Sequence, residues 1–316
     1  MDISIVVPLL NESESLQELH DWIVRVMDAH HLSYDIWFVD DGSTDNSWQV
    51  VEALAAKNSA VHGVCFRRNY GKSAALNTGF EKVTGDVVVT LDADLQDSPD
   101  EIPEMYQMIK ENHFDLVSGW KKKRYDNALT KNLPSKIYNA TARRITGVKL
   151  HDMNSGIKAY RNKVVKSIEI YGDMHRYIPV MAKMAGFTKI GEKVVEHHAR
   201  KYGQSKFGIS RFLNGVLDLL SVVFIGKFSK KPMHFFGSIG ILTVLLGFFA
   251  AVWLGIQKYI WLTSGHTAPL ITSSPYFYFA LMCIIIGFQL FLAGYISELV
   301  ARNSPNRNTY LIDNTI

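Results

Sequence analysis

The sequence predicts an α/β domain, Rossmann-like with a mostly parallel sheet, followed by an interfacial helix and two transmembrane helices. Two patterns carry this. Short apolar, β-branched runs alternate with helix-period stretches over roughly the first 120 residues, as βαβ units require. Near the end, residues 235–256 and 276–297 carry no charge at all. At 316 residues the chain exceeds the usual single core, so one large domain and a smaller appendage are expected.

The elements follow in order. "ISIVVPL" is the first strand and residues 13–29 the first helix; "YDIWFVD" and 44–57 come next, then "VHGVCF" and 72–83, "DVVVTL" and 99–111, and the strand "DLVSG". Ser13, Ser43 and Thr44 are cap candidates, and Pro99 suits a first helical turn. Ligands of such sheets bind at the carboxyl ends of the strands, which puts Asp40, Asp41, Asp92 and Asp94 on one rim. "WKKKRYDNALTKNLP", 120–134, reads as a polar surface loop, 135–147 as a helix, and "GDMHRYIPVMAKMAG" as another short helix.

"MDISIVVPLL" has Asp2 where a signal peptide has basic residues and lacks a small-residue cleavage site, so it reads as a strand. The uncharged stretches "FFGSIGILTVLLGFFAAVWLGI" and "YFYFALMCIIIGFQLFLAGYIS" show no polar stripe and reach the roughly 20 residues that cross a bilayer. Lys227, Lys230, Lys231, Arg302 and Arg307 flank them, while the connector holds Lys258 and His266. The positive-inside tendency makes this a hairpin with both flanks, and hence both termini, cytoplasmic. Trp253, Tyr259, Trp261, Tyr276 and Tyr278 suit an outer interfacial belt.

Residues 209–228 are apolar on most sides but carry Arg211, Asp218 and Lys227, which favours an interfacial helix over a core helix. The expected divisions are a cytoplasmic domain over 1–207, a juxtamembrane region over 208–232, the hairpin over 233–300 and a tail over 301–316. Cys65 and Cys283 suggest neither a disulfide framework nor a zinc site. A formal charge of +4 beside membrane-flanking lysines suits an anionic lipid surface rather than nucleic acid.

Chemistry concentrates in "LDADLQ". Asp92 and Asp94, two apart at a strand end, lean to one side and repel unless a cation joins them. Gln96 adds a neutral oxygen, and oxygen-only ligation points to Mg²⁺ or Mn²⁺ with part of its shell left for phosphate. In "VDDGSTD", Gly42 permits a tight turn and Asp40 or Asp41 could accept from a base or ribose; an ordinary capped strand-to-helix turn reads equally well. "RRNYGKSAALNTGF" is no Walker loop, because Phe66 stands where the earlier glycine belongs; Arg68 and Lys72 remain diphosphate neighbours.

Taken in order, "VVPLLNE", "VDDGSTD", "RNYGKSAALNTGF", "GDVVVTLDADLQDSPDEIP", "LVSGW", "DMNSGIKAY", "GDMHRYIP" and "ARKYGQSKF" resemble the family-2 glycosyltransferases of GT-A fold. More specifically, they resemble polyprenyl-phosphate glycosyltransferases related to dolichyl-phosphate mannose synthase and bacterial undecaprenyl-phosphate glucosyltransferases. The resemblance covers most of residues 5–207, and the paired spans are similar to those of bacterial members.

The resemblance implies that Pro8, Glu12 and Asp40 or Asp41 line the nucleotide, with Lys72 and Asp92 nearby, and that Asp92, Asp94 and Gln96 hold the metal. It implies inverting transfer of one sugar from UDP-glucose or a related UDP-sugar to undecaprenyl phosphate, whose phosphate is already nucleophilic. Two anionic reactants need cations, and the candidates around the acceptor phosphate are Lys121, Lys131, Ser135, Arg200, Ser205 and Lys206. The family pattern has arginine at 121 and 131, so a point charge replaces a bidentate fork. Asp94, Asp152 and Arg200 stand nearest the chemistry; Asp152 orients acceptor or sugar, or else pins its loop. His175 and Arg176 match a family segment without a separate role.

The resemblance further implies a homo-oligomer, tetrameric in related bacterial enzymes, in the inner membrane. The alternatives are a processive polysaccharide synthase, whose Gln-x-x-Arg-Trp segment is absent here, and a non-catalytic nucleotide-sugar sensor, which would not need the complete Asp-x-Asp-x-Gln set.

Overall fold

A computed structural model of the protein describes residues 1–122, 143–144, 146–198, 201, 221, 223–224, 228, 231–265 and 269–303. The chain divides into two compact units, Met1–Val223 and Phe224–Ile316. Of the expected loop at 120–134 only 120–122 are described, of the helix at 135–147 only 143, 144, 146 and 147, and of the tail at 301–316 only 301–303; most of the interfacial helix lies outside the described residues.

In the first unit the order is β1 (Ile3–Leu9), α1 (Leu16–Ala29), β2 (Tyr34–Asp40), α2 (Ser47–Lys57), β3 (Val61–Cys65), α3 (Lys72–Lys82) and β4 (Val87–Thr90). Then come a 3-10 turn (Pro99–Glu101), α4 (Ile102–Lys110), β5 (Leu116–Trp120), β6 (Lys158–Arg161), α5 (Asn162–Lys166), a second 3-10 turn (Met174–Tyr177), α6 (Ile178–Met184) and β7 (Ile190–Val194). The seven strands form one sheet in the order β3-β2-β1-β4-β6-β5-β7. All pairs are parallel except those of β6, which runs antiparallel between β4 and β5.

Alternation along β1 sends Ile3, Ile5 and Val7 into a core shared with α1, α2 and α4, and Val6 into a second core with Ala75, Leu76 and Phe80 of α3. The sheet is thus covered on both faces, as apolar parallel strands require. Two caps differ from expectation: α1 is preceded by Ser15 and α2 by Asn46. Ser43 and Ser13 instead tie the loops after β1 and β2 together. The Asn11 N–H donates to Ser43 Oγ at 2.9 Å and the Ser13 N–H to Asp45 Oδ2 at 3.2 Å.

The second unit contains α7 (Pro232–Thr263) and α8 (Pro275–Arg302), with a 3-10 turn at Ile271–Ser273 between them. At 1.5 Å per residue they are about 48 and 42 Å long, more than a hydrocarbon core needs. Both are apolar enough to span a membrane, and only 17% and 22% of their most hydrophobic windows is buried, unlike a soluble core. Glycines set their contact: a Cβ on Gly287 would lie 2.7 Å from the Gly240 carbonyl oxygen, and one on Gly247 2.6 Å from that of Ala280. Outward side chains such as Leu242 and Phe249 stay exposed. Trp253 and Tyr276 meet edge to face at 6.1 Å.

Candidate active site

Two cavities at the carboxyl ends of β1, β2 and β4 share Lys72, Asp92 and Asp94. The first, about 290 Å³, is also lined by Pro8, Leu9, Glu12, Asp41, Asn69 and Gly71. The second, about 210 Å³, adds Gln96, Lys121, Asp152, Lys158, His175 and Arg176. Three side chains therefore stand on the boundary between two chambers of different chemistry.

Local geometry explains the first chamber. Pro8 lies beyond the β1–β4 pairing, which stops at Val6 opposite Thr90, so its missing N–H breaks no ladder bond on that side. Asp40 and Asp41 are adjacent and face different ways. Asp40 is fully buried, accepts the Ser43 N–H at 2.8 Å and does not line the cavity. Asp41 does line it, and its carboxylate accepts the N–H of Tyr70 at 2.7 Å and of Gly71 at 2.9 Å, fixing the turn that starts α3. Gly42 has φ +76°, and a Cβ there would come within 2.5 Å of the Arg68 carbonyl carbon; only glycine permits this approach. Arg68 lies over the Tyr70 ring at 4.7 Å instead of lining either cavity.

The paired aspartates converge by a different route from the one their spacing suggests. β4 ends at Thr90, so strand periodicity does not orient them. A turn does: Leu95 is left-handed at φ +59°, and Asp94 Oδ1 accepts the Gln96 N–H at 3.2 Å. The strain at Leu95, of order 1–3 kcal/mol, is held by burying its side chain.

Charge in the second chamber is interleaved. Lys72 Nζ sits 2.5 Å from Asp92 Oδ1. Burial pushes the Asp92 carboxyl up, but Lys72, helped by Lys121 and Lys158, outweighs it and holds the group at about 2. Asp97 is a further, unanticipated carboxylate with a wholly buried side chain. Lys121 Nζ approaches its Oδ1 at 2.6 Å, off the hydrogen-bonding direction, and Oδ2 has no hydrogen-bond partner among the described residues. Burial drives the Asp97 carboxyl up, against the pull of Lys121 and with the push of Asp92. Gly156 separates the two acids: a Cβ there would stand 2.5 Å from Oδ2 of both.

Lys158, on the interior strand β6, donates to the Ser155 carbonyl; burial and then Lys72 hold its ammonium down at about 8, against the pull of Asp152, Asp92 and Asp97. Asp152 is buried and its Oδ1 accepts the Asn154 N–H at 3.0 Å, so it both lines the chamber and pins its own loop. Beyond β7, the His198 N–H donates to the Gln96 carbonyl at 2.9 Å, which ties the following segment to the acidic turn.

The oxygens of Asp92, Asp94 and Gln96, beside the unpartnered Asp97 Oδ2, form a donor set suited to a hard dication. Among the described residues no three His, Cys, Asp or Glu side chains have metal-holding spacing. An ion held by these oxygens would take the rest of its shell from water or phosphate. Of the expected site residues, the structure gathers Pro8, Glu12, Asp41, Lys72, Asp92, Asp94, Gln96, Lys121 and Asp152. Lys131, Ser135, Arg200, Ser205 and Lys206 lie outside the described residues.

Comparison with known proteins is decisive on family. The sequence pattern of "Glycosyl transferase family 2" matches residues 4–169, more than half of the chain. The chain belongs to this family. It is similar to dodecaprenyl-phosphate galacturonate synthase of Rhizobium johnstonii, with 34% identity over 314 residues, 97% of this chain and 91% of that one. It is also 34% identical over 306 residues to an undecaprenyl-phosphate 4-deoxy-4-formamido-L-arabinose transferase of Shewanella sediminis, covering 95% and 87%.

Among solved structures, glucosyl-3-phosphoglycerate synthase of Mycobacterium tuberculosis with Mg²⁺ and uridine diphosphate aligns at a TM-score of 0.53 and 18% identity, covering 71% of this chain and 79% of that one. The same enzyme with Mn²⁺ and UDP-glucose aligns at 0.51 and 20%, covering 71% and 78%. Likeness at this identity concerns the fold, which is GT-A with a mostly parallel mixed sheet. As a family-2 member with such relatives, the chain is a glycosyltransferase.

Asp97 and Lys158 were the residues missed. Lys158 had a legible signal, a lone charge inside the strand-like "GIKAY". Asp97 follows the acidic pair in a turn, where nothing in its spacing marks burial.

Proposed function

We propose that this family-2 glycosyltransferase moves one sugar, with inversion, from a UDP-linked donor to undecaprenyl phosphate at the cytoplasmic face of the inner membrane. The observation that carries the reading is the pair of chambers joined at Lys72, Asp92 and Asp94. One side offers Pro8, Glu12 and Asp41 for a nucleoside; the other offers Lys121, Lys158 and Arg176 where a sugar and an incoming phosphate must meet.

Asp92, Asp94 and Gln96 would hold Mg²⁺ or Mn²⁺, which when bound supplies Lewis-acid neutralisation of the diphosphate. Lys72, at the first turn of α3, is within reach of a diphosphate oxygen on the chamber boundary. The acceptor is an anion and needs no general base, so positioning and charge compensation by the chain supply most of the rate. Asp152 orients the sugar or the acceptor. Arg200, Ser205, Lys206, Lys131 and Ser135 are the proposed companions of Lys121 at the acceptor phosphate. A homo-oligomer, tetrameric by resemblance, belongs to the same reading and is measured by mass in detergent.

UDP-glucose or a related UDP-sugar is the proposed donor, and the names of the relatives add uronic acid and aminoarabinose derivatives to the panel. Membranes containing the protein, given undecaprenyl phosphate and labelled UDP-glucose or UDP-galacturonic acid, should yield an organic-soluble phosphate-linked sugar. EDTA should abolish the product and excess Mg²⁺ or Mn²⁺ restore it. Absence of such a product from every sugar nucleotide tried would refute the reading, and a ladder of oligomers would favour a processive synthase.

A further inference from the structure

We propose that His175 is a neutral hydrogen-bond donor, locked in one tautomer by Ser73, whose Nε2–H binds a hydroxyl of the transferred sugar in the second chamber. This rests on the reading that the second chamber receives the sugar.

The lock follows from hydrogen-bond accounting. Ser73, on the first turn of α3, is 1% exposed. Its Oγ accepts the backbone N–H of His175 at 3.1 Å and lies 3.0 Å from the His175 ring Nδ1. If Nδ1 carried the hydrogen, Oγ would accept twice and its own buried hydroxyl hydrogen would have no acceptor among the described residues. An unsatisfied buried donor costs about 1–3 kcal/mol, so the hydroxyl donates to Nδ1. The ring's hydrogen then sits on Nε2, which has no hydrogen-bond partner among the described residues.

His175 lines the second chamber with Lys72, Lys158 and Arg176. Burial, followed by those three cations, holds the imidazole down at about 2, so it stays uncharged at any working pH. A neutral donor suits a hydroxyl, which has weaker call on charge than the phosphates already served by lysines. The hydroxyl can pass its own hydrogen to a carboxylate of the same chamber, Asp94 or Asp152.

The test uses the full-length protein in detergent with undecaprenyl phosphate. His175→Ala and His175→Asn should each lower kcat/KM for the sugar nucleotide by about 10-fold, the loss of one neutral hydrogen bond, with the KM for the acceptor unchanged. His175→Gln, whose amide nitrogen reaches the Nε2 position, should recover most of it. Nitrogen NMR of ¹⁵N-histidine-labelled protein, with His175 assigned by difference from His175→Gln, should show unprotonated Nδ1 and protonated Nε2. Ser73→Ala should mix the tautomers. UDP-glucose or UDP-galacturonic acid, but not UDP, should shift Nε2.

Equal loss in His175→Gln and His175→Ala, an Nδ1–H or doubly protonated ring, or a shift produced by UDP alone would each overturn the proposal. If the wild type transfers no sugar, the functional reading fails separately, and the proposal stands or falls on the Nε2 response to the two sugar nucleotides.

Discussion

Gly156→Ala is the most exacting perturbation of the acidic junction. The added methyl would be placed 2.5 Å from Asp92 Oδ2 and 2.5 Å from Asp97 Oδ2, where contacts of real Cβ atoms essentially never fall under 3.0 Å. Both oxygens, or the Gly156 backbone, must retreat by about half an ångström or more, and overpacking of this kind costs about 1–3 kcal/mol. Neither acid yields freely: Asp92 is paired to Lys72 at 2.5 Å and Asp97 is wholly buried against Lys121. The backbone is held too, since the Gly156 carbonyl accepts the Thr90 hydroxyl at 3.1 Å. Under the proposed function, moving a metal-holding carboxylate by up to an ångström costs up to about 100-fold in rate.

Gly191→Ala is the matched control. Its Cβ would stand 2.6 Å from the Phe114 ring, equally crowded but away from both chambers. Both variants should lose thermal stability in detergent. Only Gly156→Ala should lose about two orders of magnitude in sugar transfer and require more Mg²⁺ for half-maximal activity. A Gly156→Ala protein that keeps wild-type kcat and metal dependence would show that Asp92 is not a working part of the site.

Lys121→Met strands the Asp97 carboxylate in the core and should cost about 3–5 kcal/mol by chemical unfolding, with Asp97→Asn added to it restoring most of that; no rescue would mean the pair is not coupled. Asp45 shows the pH dependence of the loop clamp. Burial raises its carboxyl, but hydrogen bonds from Ser47 and Ser13 outweigh this and hold it below 3.8, so its stabilisation is present above that value and lost as pH falls through the folded pKa. The melting-temperature gap between wild type and Asp45→Asn should therefore be widest near pH 7 and shrink as the pH falls below 3.8, and a constant gap would refute the clamp. Gly287→Leu forces a side chain against the Gly240 carbonyl and should separate α7 from α8, read as loss of a disulfide cross-link engineered between the helices in Cys-substituted protein.

Much of the first unit was legible because its signals are local. The strands β1, β2, β4 and β5 are apolar runs largely buried on both faces, β3 is a shorter, partly exposed edge strand, and their helices follow by period and length. β6 and β7 were not anticipated for different reasons. β6 is four residues long, carries Lys158 and returns antiparallel, so no βαβ rhythm announces it. β7, "IGEKV", is a partly exposed edge strand with Lys193 tied to Glu101, and such a strand looks like a loop in sequence. At the candidate site, residue types pointed to the rim on which the two cavities open, but telling Asp41, which lines a cavity, from Asp40, which does not, required knowing where β2 ends. The turn that holds Asp94 passes through a left-handed Leu95, a conformation that leucine's own preferences argue against.

A lysine at 121, where the resemblance leads one to expect arginine, is intelligible from the partner it meets. An arginine fork is favoured where two acceptor oxygens lie in one plane. Asp97 presents a single oxygen to Lys121, at 2.6 Å and off the hydrogen-bonding axis, while its other oxygen turns toward Gly156. A compact point charge can meet that geometry, and Lys121 remains partly exposed at 13%, on the lining of the second chamber. Burial depresses the Lys121 ammonium, but Asp97 and then Asp92 raise it further, so it is charged throughout the physiological range. Asp97 thereby offsets the depression that burial imposes on a cation of the chamber wall. At the other end of the chamber the dependence runs the opposite way: Lys72, 2.5 Å from Asp92, is the main cation that keeps the buried Asp92 carboxyl ionised.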